Sequence, residues 1–431
     1  MKILISGGLV IDPANKIDGL ADVVIKDNLI ESVGAAGSIK KEKVDQVVDA
    51  SGMWVTPGLI DLHVHFREPG FEKKETILTG ARAAVLGGYT SVCCMPNTSP
   101  VNDSSFTTLY ILERAKSANL CKVLPIGAVS KSSHGKEMAP LTELANAGCV
   151  AFSDDGEPVY DSGMMRRALE WSNMLGRVIS CHEEDKCLCR GGAMNEGPLA
   201  LKLGIPGIPG VAEDVMIARD IELARFTGAR AHICHVSTAR GVELIRRAKK
   251  DGIKITCEVT PHHLHLTEDA VGEYNTNAKM NPPLRCRDDV DGLIKGIQDG
   301  TIDAIASDHA PHDADSKHVE FTKATMGILG LQTNLPLSLD FVRDGTISRT
   351  RVIELLSSGP ARVFGLKGGT LSVGSPADVA VINPDKPWDL MADKIVSKSL
   401  NSPFIGQTLK GFARDVWVDG DRKVSGGELC R

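Results

Sequence analysis

Apolar and polar positions follow two different rhythms along the chain. From residue 53 to about 366, a short β-branched apolar run is followed by a turn, then by a stretch with apolar residues three and four apart, and this unit repeats. Runs that are apolar throughout belong to strands buried on both faces, and their alternation with amphipathic helices predicts a parallel sheet covered by helices. Eight runs qualify: 54–66, 90–95, 122–129, 149–152, 177–181, 229–236, 254–259 and 302–306. Eight parallel strands with helices between them close naturally as a TIM barrel, an α/β fold. The helical stretch 75–86 stops at Gly87-Gly88, Asp103 or Ser104 can cap the next, and Ser237-Thr238 can cap 239–250 before Gly252 ends it. Helices are also expected over 329–343 and 351–364.

The flanks have another texture. Residues 2–52 alternate short β-rich runs with turns, and the same texture returns over 369–382, so the two flanks are expected to pair. The predicted organisation is a small β-sandwich built from both termini (1–52 and 367–431) beside a barrel of residues 53–366.

Composition narrows the class. Of 431 residues, 42% are hydrophobic and 24% charged, a globular balance that argues against disorder. No apolar run is long enough to span a bilayer, and the first residues lack the apolar core and cleavage site of a signal peptide; no membrane partner and a cytoplasmic location are expected. The 49 basic and 55 acidic residues give a net charge of -6 without a basic stripe, so nothing proposes a nucleic acid. The eleven cysteines form no paired C-x-x-C framework and read as reduced, mostly buried thiols; Cys187-Leu188-Cys189, after Cys181, is the one cluster with a metal-site look.

Chemistry concentrates where each apolar run ends. In the first strand His63 and His65 are two apart, so a regular strand points both to one face, where they can share a metal ion, and Arg67 follows with a planar fork suited to a carboxylate. Later runs end in Met95-Pro96-Asn97, Ser130, Ser153-Asp154-Asp155, His182-Glu183-Glu184, His235, Pro261-His262-His263 and Ser307-Asp308-His309-Ala310-Pro311-His312. A TIM barrel gathers such residues at one mouth. Four His and two Asp there suit two divalent ions, with zinc favoured by imidazole and carboxylate ligands, sharing a bridging carboxylate as in two-metal hydrolases. Asp308 is then placed to move a proton between attacking water and leaving nitrogen. Spacing does not choose between Asp154 and Asp155 as the bridge. His262 and His263 can support the ligands from outside, His134, His232, His265 and His318 read as surface or packing residues, and Glu183 and Glu184 as ion-pair partners of nearby bases.

These motifs, taken in order, resemble the dihydroorotases of the amidohydrolase superfamily, of the long bacterial type, over nearly the whole chain. The resemblance rests on Asp61-Leu62-His63-Val64-His65-Phe66-Arg67-Glu68-Pro69-Gly70, Met95-Pro96-Asn97-Thr98, Phe152-Ser153-Asp154-Asp155-Gly156, Asn281-Pro282-Pro283-Leu284-Arg285 and Ser307-Asp308-His309-Ala310-Pro311-His312. It implies His63, His65 and Asp308 on a first zinc ion, His182 and His235 on a second, Asp155 bridging them and Asp308 as catalytic base. It also implies that Arg67, Asn97 and His312 grip the carboxylate of dihydroorotate, that Asn281 contacts its ring, and that the backbone of Met326 and Gly327 completes the pocket. An aromatic residue usually stands where Met326 does. Many relatives bridge the metals with a carboxylated lysine on strand four, and none stands at that point here.

The implied reaction is the reversible closure of N-carbamoyl-L-aspartate to L-dihydroorotate in pyrimidine biosynthesis. A hydantoinase or allantoinase is the enzymatic alternative, and a non-catalytic scaffold for aspartate carbamoyltransferase is the alternative from another class. A homodimer and an association with that transferase are further partners consistent with the resemblance.

Overall fold

The computed structural model describes residues 1–39 and 43–430. The eight apolar runs form eight parallel strands: β1 (Leu59–Val64), β2 (Tyr89–Cys94), β3 (Lys122–Gly127), β4 (Ala151–Phe152), β5 (Ile179–Cys181), β6 (Ala231–Ile233), β7 (Ile255–Val259) and β8 (Ala304–Ile305). Each pairs with the next in parallel. The ring closes just past the strand ends, where Val64 bridges His309 and the His65 N–H donates to the His309 carbonyl at 2.9 Å. The barrel is therefore sealed by two segments that carry three of the six expected metal ligands, His63, His65 and Asp308.

Caps fix where the covering helices start. Thr76, Ser104, Asp161 and Thr238 accept from the amides of Thr79, Thr107, Met164 and Gly241 to open helices Ile77–Leu86, Ser105–Ala118, Ser162–Met174 and Ala239–Lys250. Each such cap is worth about 1 kcal/mol. The first helix thus begins two residues later than its apolar pattern suggests, which frees Glu75 to turn inward, fully buried, onto His309.

Two expected helices differ. The 351–364 stretch is two helices, Arg349–Leu356 and Ser358–Phe364, broken at Ser357 (φ -139, ψ -80). Pro360 has no N–H to offer the carbonyl one turn back, so an unbroken helix is excluded. The 329–343 helix starts only at Asn334, because the preceding residues run alongside the loop after β8.

The terminal flanks form one hydrogen-bonded sheet. Its order is Glu428–Leu429, Asp421–Ser425, Thr408–Val418, Val379–Asp389, Trp54–Pro57, Lys2–Asp12, Ile17–Lys26 and Leu29–Ala35, with Gln46–Asp49 also on Lys2–Asp12. It encloses its own core, with Ile5, Val23, Ile25, Val55, Val379 and Trp417 buried together.

The 54–66 run, expected as a single barrel strand, divides at Gly58. Trp54–Pro57 pairs with both termini in the small sheet, and only β1 enters the barrel. A side chain at Gly58 would meet Thr90 at 2.2 Å, so glycine is needed where the chain crosses between the two sheets. Conversely, residues 396–402, within the flank expected to belong to the small domain, lie against the barrel mouth.

Candidate metal centre

Four imidazoles and two carboxylates meet at the C-terminal mouth of the barrel, each 5% exposed or less. Around His63 Nε2 lie Asp155 Oδ2 and Asp308 Oδ1, both at 3.4 Å; His65 Nε2 stands 3.0 Å from Asp308 Oδ1 and 3.5 Å from Asp155 Oδ2. A second group forms around the other oxygen of Asp155: His182 Nδ1 at 3.5 Å and His235 Nε2 at 3.4 Å, with 3.1 Å between those two nitrogens. Ligands bound tetrahedrally to an ion at about 2.0–2.2 Å are about 3.3–3.6 Å apart. The atoms thus stand at coordination spacing, in two sets that share one carboxylate.

Two further observations fit a bound cation. His63 Nε2 and Asp155 Oδ1 are buried without a hydrogen-bond partner among the described residues, an arrangement that is costly unless something else satisfies them. With neutral imidazoles the cluster carries two negative charges in a buried site, which suits divalent cations. In the metal-free protein burial raises the Asp155 carboxyl, but a charged His63 and the other imidazoles around it outweigh burial and hold it well below the usual carboxylate range.

The two neighbouring aspartates have different partners. Asp154 accepts from the amides of Val129 and Ser130 at 2.8 and 3.0 Å and from the Ser130 hydroxyl, so it braces the loop after β3. Asp155 faces the imidazoles.

The clustered imidazoles are held from behind. His63 Nδ1 is 2.8 Å from Glu258 Oε1 and His232 Nε2 is 3.1 Å from Glu258 Oε2, while His65 Nδ1 is 2.9 Å from Asn97 Oδ1. A proton on each Nδ1, donated outward, leaves Nε2 free to bind metal. His182 reverses the pattern: Nδ1 faces the cluster and Nε2 lies 3.3 Å from both Glu184 Oε2 and the Asn281 amide, with Lys186 on Glu184 at 3.1 Å. In the metal-free protein burial pushes His182 down, but the neighbouring carboxylates of Asp155 and Glu184 raise it to about 10. Asp61 accepts from the amides of His63 and Ser307, pinning β1 to the end of β8.

Glu258, His232 and Glu184 were not anticipated in these roles. A carboxylate in the middle of the apolar run Ile255–Val259 was the readable sign for Glu258. Its partner His232, expected as a packing residue, touches a group that holds a metal-site histidine. His263, expected to support the ligands from outside, has both ring nitrogens engaged elsewhere, by the Thr260 hydroxyl and the Pro282 carbonyl. The cysteine cluster does not assemble: Cys187 is exposed beside the Tyr160 hydroxyl, and Cys189 is buried among Ile208, Ala212 and Met326.

Beside the metal cluster lies a cationic pocket. Arg67 donates through Nε to the Pro311 carbonyl at 3.3 Å and through Nη2 to His312 Nε2 at 3.4 Å. Burial and the Arg67 charge lower His312 to about 2, so its ring is neutral, and its Nδ1 is buried without a partner among the described residues. The Gly327 N–H is committed to the Lys279 carbonyl at 2.9 Å and its carbonyl accepts from Asn401. Arg67 (φ 62), His235 (φ 31) and Asp308 (φ 42) all adopt left-handed backbone that non-glycine residues avoid. Such conformations cost about 1–3 kcal/mol each and persist where the surroundings impose them, as at functional sites.

Comparison with known proteins follows the same lines. A model of the dihydro-orotase-like family matches residues 52–241, and one of an amidohydrolase family matches residues 212–422. The dihydroorotase of Geotalea daltonii is 49% identical over 420 residues, covering 97% of this chain and 98% of the relative. That of Trichlorobacter lovleyi is 48% identical over 426 residues, covering 99% of this chain and all of the relative (100%). Among solved structures, the L-hydantoinase (dihydropyrimidinase) from Arthrobacter aurescens superposes with a TM-score of 0.89 at 26% identity, covering 100% of this chain and 97% of that one. With nearly half its residues shared along almost its full length, the chain belongs to the dihydroorotase family of amidohydrolases.

Proposed function

We propose that the chain is a dihydroorotase, closing N-carbamoyl-L-aspartate to L-dihydroorotate and reopening it as a step of pyrimidine biosynthesis, with two zinc ions at the barrel mouth. The observation that carries this reading is the pair of side-chain sets on the two oxygens of Asp155, beside the Arg67–His312 pair. His63, His65, Asp155 and Asp308 would hold one ion and Asp155, His182 and His235 the other. Bound there, divalent ions would supply Lewis-acid polarisation of the ring carbonyl and acidify the attacking water.

The chain's own residues do the rest. Arg67 gives charge-assisted hydrogen bonds to the ring carboxylate. His312, neutral, adds its Nδ1–H, and Asn97, whose Oδ1 is taken by His65, has its Nδ2 donors left for the same carboxylate. Asn281 and the Met326–Gly327 backbone border the ring. In hydrolysis Asp308 takes the proton of the attacking water and gives it to the departing ring nitrogen; in synthesis it takes the proton of the ureido nitrogen and returns it to the departing oxygen. In the metal-free protein the charge of His63 and the hydrogen bond from His65 outweigh burial and hold the Asp308 carboxyl below the usual carboxylate range.

The hydantoinase alternative gains from the structural likeness to the Arthrobacter enzyme, but a neutral hydantoin would leave the Arg67 charge without a partner. Eleven unpaired cysteines, eight of them buried, fit a reducing cytoplasm. No helix among the described residues is long and apolar enough to cross a membrane. The test is turnover of L-dihydroorotate, hydantoin and allantoin by purified protein, with metal content measured on the same sample. Selective turnover of dihydroorotate with about two zinc ions per chain is expected; preference for a neutral ring refutes the reading.

A further inference from the structure

We infer that Asn401, carried by the C-terminal flank, is a positioning residue that sets selectivity for a carboxylate-bearing ring; this rests on the function proposed above. The residue is 3% exposed, and both polar atoms of its side chain are hydrogen-bonded. Its Oδ1 accepts from the His312 amide at 2.9 Å, its Nδ2 donates to the carbonyls of Ala310 and Gly327, both at 2.9 Å, and its own carbonyl accepts from the Leu329 amide at 3.0 Å. One side chain thus ties together the two halves of the loop after β8, the half with Asp308 and His312 and the half with Met326 and Gly327.

The coupling reaches the carboxylate pocket through close contacts. At Gly327 (φ 153) an added Cβ would lie 2.7 Å from His312 Cδ2 and 2.6 Å from the Ala310 carbonyl, so the backbone at 327 forms a wall of the His312 ring's place. His312 in turn accepts from Arg67. The residues just before Asn401 anchor the same stretch to the loop after β1, which carries Arg67. The Ser399 hydroxyl donates to the Lys74 carbonyl at 2.6 Å, Lys398 Nζ to the Glu72 carbonyl at 2.5 Å, and the Ser397 hydroxyl to Glu75. A segment of the terminal flank therefore straps together the two loops whose side chains converge on the carboxylate, and among the described residues it makes no hydrogen bond to the six metal-site side chains.

Asparagine is the side chain this position requires. It must donate twice to carbonyls and accept once from an amide. Aspartate would set a carboxylate against two carbonyls, leucine would strand three buried backbone groups, and serine would keep one polar group and leave space for water.

The experiment compares Asn401→Ser and Asn401→Asp with the wild type, measuring kcat and KM for L-dihydroorotate and for dihydrouracil, the same ring without its carboxylate, together with bound metal and Tm. In the variants the ratio of kcat/KM for dihydroorotate over dihydrouracil is expected to fall at least tenfold, mainly through a higher KM for dihydroorotate, with metal content unchanged. A purely structural residue would lower Tm or the amount of active enzyme and leave that ratio within twofold; this result, in whichever variant folds, overturns the inference. If the wild type turns over dihydroorotate and the ratio does not move, only the inference fails. If the wild type ignores dihydroorotate, the proposed function fails and the inference fails with it.

Discussion

Replacing Glu258 by glutamine tests how the centre is held from behind. Glu258 is fully buried and accepts from His63 Nδ1 at 2.8 Å and His232 Nε2 at 3.1 Å. Glutamine fits the same space but offers one acceptor and one donor pair. With its oxygen toward His63, its amide faces His232 Nε2, which must then become an acceptor. His232 can do so by moving its proton to Nδ1, where the Thr256 hydroxyl waits at 2.9 Å. The fold should therefore survive. What is lost is charge: a hydrogen bond to an ionised group is worth about 1.5–3 kcal/mol and a neutral one about 0.5–1.5. The difference at His63, about 1–1.5 kcal/mol, makes its Nε2 a poorer ligand and weakens metal binding about tenfold, within the 10–100-fold range usual for groups that orient metal-bound histidines. Competition with a chromophoric chelator should show one of two metal equivalents loosened by that factor and the other, on His182 and His235, unchanged. Equal affinity for both equivalents in variant and wild type would refute the idea that Glu258 sets the His63 tautomer.

Three further outcomes are expected. Arg67→Met should lower kcat/KM for dihydroorotate by about 10²–10³, the equivalent of about 3–4 kcal/mol of charge-assisted hydrogen bonding, and change hydantoin turnover little; parallel steady-state assays decide. Asp308→Asn should cut kcat by about 10³ or more at unchanged secondary structure, read by turnover and circular dichroism, and near-normal turnover would remove Asp308 from proton transfer. In metal-free protein, hydrogen bonds from His232 and His63 outweigh burial and hold Glu258 at about 2 against an ordinary 4.5, so its stabilisation is complete above pH 4.5 and is lost as pH falls toward 2. That amounts to about 3 kcal/mol, visible as extra acid sensitivity in denaturant titrations of the wild type that Glu258→Gln lacks.

The sequence by itself determined the barrel, because eight runs apolar on both faces can be buried only inside a layer of helices, and it determined which side chains crowd the mouth, because they directly follow those runs. His63 and His65, two apart on a strand, announce a shared ligand without any tertiary information. Tertiary structure decided whatever depends on a partner distant in the chain. Asp154 and Asp155 are equivalent by spacing and part only when the loop after β3 claims one and four imidazoles surround the other. The division of residues 54–66 at Gly58 follows from both termini competing for Trp54–Pro57. Asn401 lies 89 residues from His312, in a flank whose local pattern speaks only of strands and turns. Local periodicity reports which face of an element is buried; it carries no record of which distant backbone group a polar side chain will satisfy, and that pairing is settled only when the chain closes on itself.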